Sequence, residues 1–99
     1  MSDRELLEMA AKAAGYDVLR WSMLRQCFYD CSGIYWRPLD DDGDALRLAV
    51  KIYMFDGSLF KRFMTIRLEE TRLNPARSDE EITRRAIVRA AAEIGRGMK

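Results

Sequence analysis

The chain contains no histidine. That removes the usual general base at neutral pH, the commonest zinc ligand, and the base on which Ser–His and Cys–His nucleophiles depend. Cysteine is scarce too. Cys27 and Cys31 stand four apart, unlike the Cys-x-x-Cys of redox proteins, and two thiolates do not fill a tetrahedral zinc site. In a reducing cytoplasm they read as buried or half-buried thiols and not as a disulfide. Glycine-rich phosphate loops and carboxylate pairs with glycosidase spacing are missing as well. No apolar run approaches the ~20 residues of a membrane span, and the opening MSDRELLEMAAK carries acids where a secretory signal would be apolar. Neither sign of charge dominates. With 17 basic residues against 16 acidic ones and a net charge of +1, binding to nucleic acid or an anionic membrane would need a local patch. These absences lead us to expect a cytoplasmic, non-enzymatic protein with no cofactor, no metal and no membrane contact, and 99 residues suit a single domain.

What is present is mostly helix signal. Ser2 followed by Glu5 is a capping-box pattern, Gly15 supplies the matching stop, and Leu6, Leu7, Met9, Ala10, Ala13 and Ala14 share one side of a 3.6-residue period. A second helix is predicted to begin in the acidic run 40–42, whose carboxylates can accept orphan N–H groups and face the positive end of the helix dipole. Its apolar residues, Ala45, Leu46, Leu48, Ala49, Val50 and Ile52, cover more than half the circumference. Only Asp44, Arg47 and Lys51 remain as a wet stripe, so this helix is expected to be the most buried. A third opens at Ser78 and Glu81 after Asn74 and Pro75. Ile82, Ala86, Ile87, Ala90, Ala91 and Ile94 give it an alanine-rich face able to approach a sheet or helix closely, and Gly95 and Gly97 are expected to fray its end.

Strand signals fill the gaps. Residues 53–55, the turn pair Asp56-Gly57 and residues 59–69 read as a hairpin, because Asp-Gly tolerates the positive φ angles of a tight turn. In its second arm Phe60, Met64, Ile66 and Leu68 point one way and Lys61, Thr65, Arg67 and Glu69 the other, with Phe63 exposed among the polar set. Residues 25–29 and 34–37 form another hairpin turning at 30–33, while residues 16–24 fit a strand or a short helix equally well. Every aromatic residue lies between Tyr16 and Phe63. A sheet carrying the bulky residues under alanine-faced helices would explain that segregation. The expected fold is α+β: an antiparallel sheet of two hairpins covered by three helices, in the order α-β-β-α-β-β-α.

Three constellations are candidates for function. Asp40, Asp41, Asp42 and Asp44 lack calcium-loop spacing, since Gly43 falls too early and Lys51 stands near the place of the terminal acid, so helix capping is the preferred reading. Arg85, Arg89 and Arg96 form a row on the last helix suited to phosphates or carboxylates, although Glu81 and Glu93 lie four residues from Arg85 and Arg89 and can pair with them. Arg20, Trp21, Arg25, Tyr29, Tyr35 and Arg37 interleave aromatics with arginine, and with Phe63 they make the candidate partner-binding surface. Trp36 and most other aromatics are expected in the core.

Three blocks carry a resemblance: DRELLEMAAKAAG at 3–15, WRPLDDDGDALRLAVKI at 36–52 and RRAIVRAAAEIG at 84–95. They resemble small phage and prophage proteins of the "ABA sandwich" type, with helices on both faces of a sheet. Trp36, Pro38, Leu39, Asp41, Asp42, Gly43, Asp44, Ala45 and Leu46 align with that family's core motif, and Arg37 replaces its usual asparagine. The match covers under half of the chain and leaves the strands and loops unmatched. It transfers no catalytic residue. It implies a mobile-element protein that binds and inhibits a host protein, an antiviral defence complex such as CRISPR–Cas being the foremost target class. The alternatives are a nucleic-acid-binding accessory protein using Arg85, Arg89 and Arg96, and a protein that sequesters a small ligand between sheet and helices. A monomer and a homodimer, built on a hairpin edge or on the alanine face, are both compatible with the sequence.

Overall fold

A computed structural model of the chain describes residues 2–16 and 19–98. The order is α1 (Asp3–Ala13), β1 (Arg20–Ser22), β2 (Cys27–Tyr29), β3 (Tyr35–Trp36), α2 (Asp42–Lys51), α3 (Gly57–Leu73) and α4 (Asp79–Arg96). The fold is α+β, with four helices and one small antiparallel sheet of order β1-β2-β3. The expected hairpin at 59–69 is not formed. That segment is α3.

The reason lies in competing periods. Phe60, Met64, Ile66 and Leu68 alternate as a strand would, but Phe63, Ile66 and Glu70 recur at helical spacing, and these are the residues α3 buries. Nothing in 59–69 breaks a helix, and helix formation satisfies every internal backbone group without a partner strand. The Asp-Gly pair instead serves the α2–α3 connection: Asp56 stands at the N-cap, and Gly57 and Tyr53 adopt φ of +57° and +58°. The other expected hairpin is present with shorter arms. β2 pairs with β3 across a turn in which Asp30 Oδ1 accepts from the Ser32 and Ile34 amides at 2.9 and 3.0 Å. Of the undecided segment 16–24, residues 20–22 form the third strand, and Asp17 and Val18 lie outside the described residues.

The local start signals work as expected. Ser2 and Glu5 form a full capping box, Asp41 Oδ2 caps α2 through the Asp44 amide at 2.9 Å, and Ser78 Oγ accepts from Glu81 N at 3.2 Å. Asp44 is also used twice, accepting from the Arg37 amide at 2.9 Å and from Arg47 at 2.6 Å, which ties the end of β3 to α2.

The centre of the molecule is α4, not α2. It packs against α1, α2 and α3 and buries Ile82, Ala86, Ile87, Val88, Ala90, Ala91, Ala92 and Gly95. Helix α2 buries Ala45, Leu48 and Ala49 but leaves Leu46 and Val50 more than half exposed, so its wide apolar surface exceeds what one neighbour covers. Gly95 does not fray α4. A Cβ built there would lie 1.8 Å from the Met9 carbonyl oxygen of α1. The two backbones touch, and Ala10, Ala14 and Ala91 of the two segments are buried in the core.

Gly95→Ala therefore has a distinctive sign. In a helix interior alanine normally stabilises over glycine by about 1 kcal/mol. Here it must push two helices apart, and a loss of about 2–3 kcal/mol is expected, in the upper range of overpacking costs. Thermal unfolding followed by circular dichroism should show a Tm lower by roughly 10 °C or more. Gly97→Ala, whose Cβ would sit 3.6 Å from the nearest atom, should leave Tm almost unchanged. Equal melting of both variants would contradict the backbone contact.

Candidate functional site

Antiparallel pairing sorts the aromatic segment into two faces. Trp21 opposes Phe28, and Phe28 opposes Trp36, so these three share the inner face; Arg20 opposes Tyr29, and Tyr29 opposes Tyr35, on the outer one. Phe28 and Trp36 are buried, and Trp21, half-buried, meets the Phe28 ring edge-on at 5.0 Å with the Arg4 guanidinium 5.3 Å from its own ring. Outside, Tyr29 and Tyr35 pack edge-to-face at 6.1 Å, and Arg25 from the β1–β2 turn lies 4.9 Å over Tyr35. Met23 and Leu24 at that turn and Ile34 beside β3 are strongly exposed.

The residues expected to bind a partner thus fall in three places. Trp21, Arg25 and Arg37 line a polar cleft of about 620 Å³ between the sheet and the N-terminal ends of α1 and α4. Arg20 and Tyr29 line a smaller hollow of about 330 Å³ with Asp30, Cys31 and Gly33. Tyr35 sits on the outer face under Arg25. Phe63 is the exception: it is buried on α3, stacked near Phe60 at 5.9 Å, and belongs to the core. Its expected exposure followed from treating 59–69 as a strand.

The arginine row is also divided. Arg85 joins the polar cleft and reaches Asp3 at 2.8 Å. Arg89 bridges to α3, to Glu70 and Glu69 at 3.0 Å each. Arg96 remains exposed and lines a third hollow with Arg89. The expected pairing partners along α4 are not the ones used. Glu93 pairs instead with Arg62 of α3 at 2.5 Å, and this forked contact holds the Glu93 carboxyl below the usual carboxylate range. Glu70 is the one buried charged residue among those described, gripped by Arg89, by Asn74 at 3.2 Å and by Arg85 at 3.8 Å.

The acidic run is committed to structure. Beyond the Asp41 and Asp44 bonds, Asp42 holds Arg84 at 2.6 Å, and Arg84 donates to the Leu39 carbonyl at 2.9 Å. The two thiols differ. Cys27 is buried, and burial pushes its thiol above the ordinary value, whereas Cys31 is exposed.

One surface was not anticipated. Between α2 and α3, floored by Thr83 and Ile87 of α4, runs a groove of about 540 Å³ with Leu46, Met54, Phe55 and Phe63 in its walls. Asp42, Asp79 and Glu80 rim it. Of its wall residues Leu46 and Phe55 are more than half exposed, and Val50, Tyr53, Phe60 and Met64 on the same α2–α3 stretch of chain are at least 40% exposed. The signal for it was the excess apolar circumference of α2, which sequence reading converts into depth of burial.

Two measurements test the charge arrangement. Glu70→Ala removes the buried carboxylate that joins Arg89 and Arg85, which keep Glu69 and Asp3 as partners. A loss of about 1–3 kcal/mol is expected in urea unfolding, less than the ~3–5 kcal/mol for breaking a fully buried pair because both arginines keep some solvent and a second carboxylate. A loss below 0.5 kcal/mol would show that the pairs contribute nothing. Glu93 is tested through its pH dependence. Its folded pKa lies below its unfolded one, so its contribution is present above the ordinary carboxylate range and lost as pH falls through it. The pair is half exposed, so Glu93→Gln should cost roughly 0.2–1 kcal/mol at pH 7 and converge with the native chain once acid has protonated the Glu93 carboxyl. A gap that widens on acidification would refute the assigned sign.

Comparison with protein-family models, characterised proteins and solved structures returns no match.

Proposed function

We propose that the chain is a phage-encoded, non-enzymatic binding protein that inhibits a host factor, with an antiviral defence complex as the target class. The observation that carries the binding role is the apolar surface around the α2–α3 groove. Leu46 and Phe55 in its walls stand open to water, as do Val50, Tyr53, Phe60 and Met64 along α2, the connection and α3, and isolated proteins rarely maintain such a surface without a partner. The phage origin and the host target rest on the resemblance of the helical blocks, now located on α1, α2 and α4.

The groove suits one mode of recognition: an amphipathic helix laid between α2 and α3 with its apolar side down. Asp42, Asp79 and Glu80 at the rim favour a helix with basic flanks. Phe55 and Leu46 are the natural anchors, because interface energy concentrates in large apolar side chains at the centre of such contacts. The outer sheet face, with Tyr29, Tyr35, Arg20 and Arg25, is a second and more polar contact area. Since Arg85 and Arg89 are held by Asp3, Glu69 and Glu70, the nucleic-acid reading built on the α4 row has no free set of cations behind it.

Expression of the chain in a defended bacterial strain should raise phage plating, and the tagged protein should retain one host protein stoichiometrically. Leu46→Asp with Phe55→Asp should abolish both effects while leaving the circular dichroism spectrum unchanged, since both side chains are exposed. Tyr35→Ala with Arg25→Ala tests the sheet face in the same way. Unchanged plating together with no retained partner would end the inhibitor reading.

A further inference from the structure

The polar cleft carries a role that protein binding at the groove does not use. We propose that it is a binding site for the phosphate groups of a free nucleotide, with Arg25, Arg37 and Arg77 as the phosphate-binding residues and Trp21 as the wall against which the base rests. Six arginines line it: Arg4, Arg25, Arg37, Arg77, Arg84 and Arg85. They come from α1, the β1–β2 turn, the end of β3, the loop before α4, and α4 itself. Three carboxylates, Asp3, Asp40 and Glu81, share the lining. A chain of almost balanced total charge thus concentrates cations in one concavity, where low-dielectric walls focus their field.

Not all six are available. Arg85 is held by Asp3 at 2.8 Å, Arg84 by Asp42 at 2.6 Å, and Arg4 by Glu8 at 3.4 Å. Among the described residues Arg25 and Arg77 have no carboxylate within salt-bridge distance, and Arg37 reaches Asp40 only at 4.0 Å. Among the described residues, therefore, three guanidinium groups around one hollow have donor forks that no carboxylate closely matches, Arg25 lying over the Tyr35 ring. Planar forks match phosphate oxygens two at a time, which makes a phosphoryl anion the complementary ligand. The size agrees. At about 620 Å³ the cleft lies within the roughly 300–1,000 Å³ range of small-molecule sites. Trp21 adds the apolar element. Its half-buried ring lies in the cleft wall with the Arg4 guanidinium 5.3 Å from the ring centroid, and a base would rest on the exposed part of the indole or displace Arg4 from it.

The same phosphate chemistry occurs on a free nucleotide and on the end of a nucleic-acid strand, and titration separates the two. Calorimetry and tryptophan fluorescence are followed with ATP, ADP, AMP, pyrophosphate, adenosine and a short 5′-phosphorylated single strand. Binding is expected for ATP and ADP, weaker for pyrophosphate, and not detectable for adenosine, with affinity falling as salt rises. Quenching by ATP should disappear in Trp21→Phe, and calorimetry should show ATP weakened there relative to pyrophosphate, which makes no contact with the indole wall. Arg25→Ala with Arg77→Ala should weaken ATP by about tenfold or more, and Arg72→Ala, on α3 outside the cleft, should not. Circular dichroism melts confirm that each variant folds, and Arg37→Ala replaces the double variant if that one does not. No binding of any phosphate compound at millimolar concentration would overturn the proposal. So would ATP binding undiminished in every folded arginine variant, or binding of the strand alone.

Discussion

Everything else in the molecule is arranged around the place where α1 and α4 touch backbone to backbone. Gly95 is the only residue type that permits it, since any Cβ would overlap the Met9 carbonyl. Close approach lets a face of alanines, poor in burial per residue, bring two helix backbones into contact. It also sets the position of the α1 N-terminus relative to the α4 N-terminus, and so the walls of the arginine cleft. A small residue at one crossing thereby determines where Arg4, Arg84 and Arg85 stand.

The second layer of order is electrostatic. Helix α3 has no hydrophobic stripe comparable with that of α4; it buries Phe63, Ile66 and Glu70. Its register on α4 is set by Arg62–Glu93, Arg67–Thr83 and the Arg89 contacts with Glu69 and Glu70. Ion pairs of this kind add modest energy but exclude a helix slipped by one turn, because each slip separates charges that are costly to leave unpaired. Glu70 takes up Arg89 and, at 3.8 Å, Arg85, two of the three cations that the sequence offers as a nucleic-acid face, while Arg96 stays exposed.

How far the sequence was legible depends on the range of the interaction concerned. Ser2, the acidic run 40–42 and Ser78 are legible as helix starts because capping joins groups three residues apart, Asp41 being the member of the run that caps. The turn at 30–33 was legible for the same reason. Residues 57–73 were not, since an Asp-Gly pair and an alternating run are equally compatible with a hairpin and with a helix preceded by a tight connection. Length should have decided it: eleven residues without a break exceed the usual strand of about 5–6. The error then moved Phe63 from the core to the surface. Leu46 and Val50 failed in the other direction, counted as buried because they are apolar. Nothing local distinguishes an apolar residue that faces α4 from one that faces water. The groove and the cleft exist only when segments far apart in sequence converge, which is why the arginines at 4, 25, 37, 77, 84 and 85 did not read as one group.

The two hollows are separate in chemistry yet share one side chain. Arg84 lines the polar cleft and the apolar groove alike, while Asp42, its partner at 2.6 Å, lines the groove. A chain of this size has too few helices to give each surface its own wall, so α4 supplies core on its buried sides and wall on both others. It follows that substitutions at Arg84 are uninformative about function: losing it changes the charge of the cleft, frees a carboxylate at the groove and removes the bond to Leu39 together. Discrimination must come from side chains that belong to one hollow only. Arg25 and Arg77 meet that requirement for the cleft, and Leu46 and Phe55 meet it for the groove. Because the two sets share no contact, their effects on binding should be separable, and a partner sensitive to both sets at once would have to span the Arg84–Asp42 pair that lies between them.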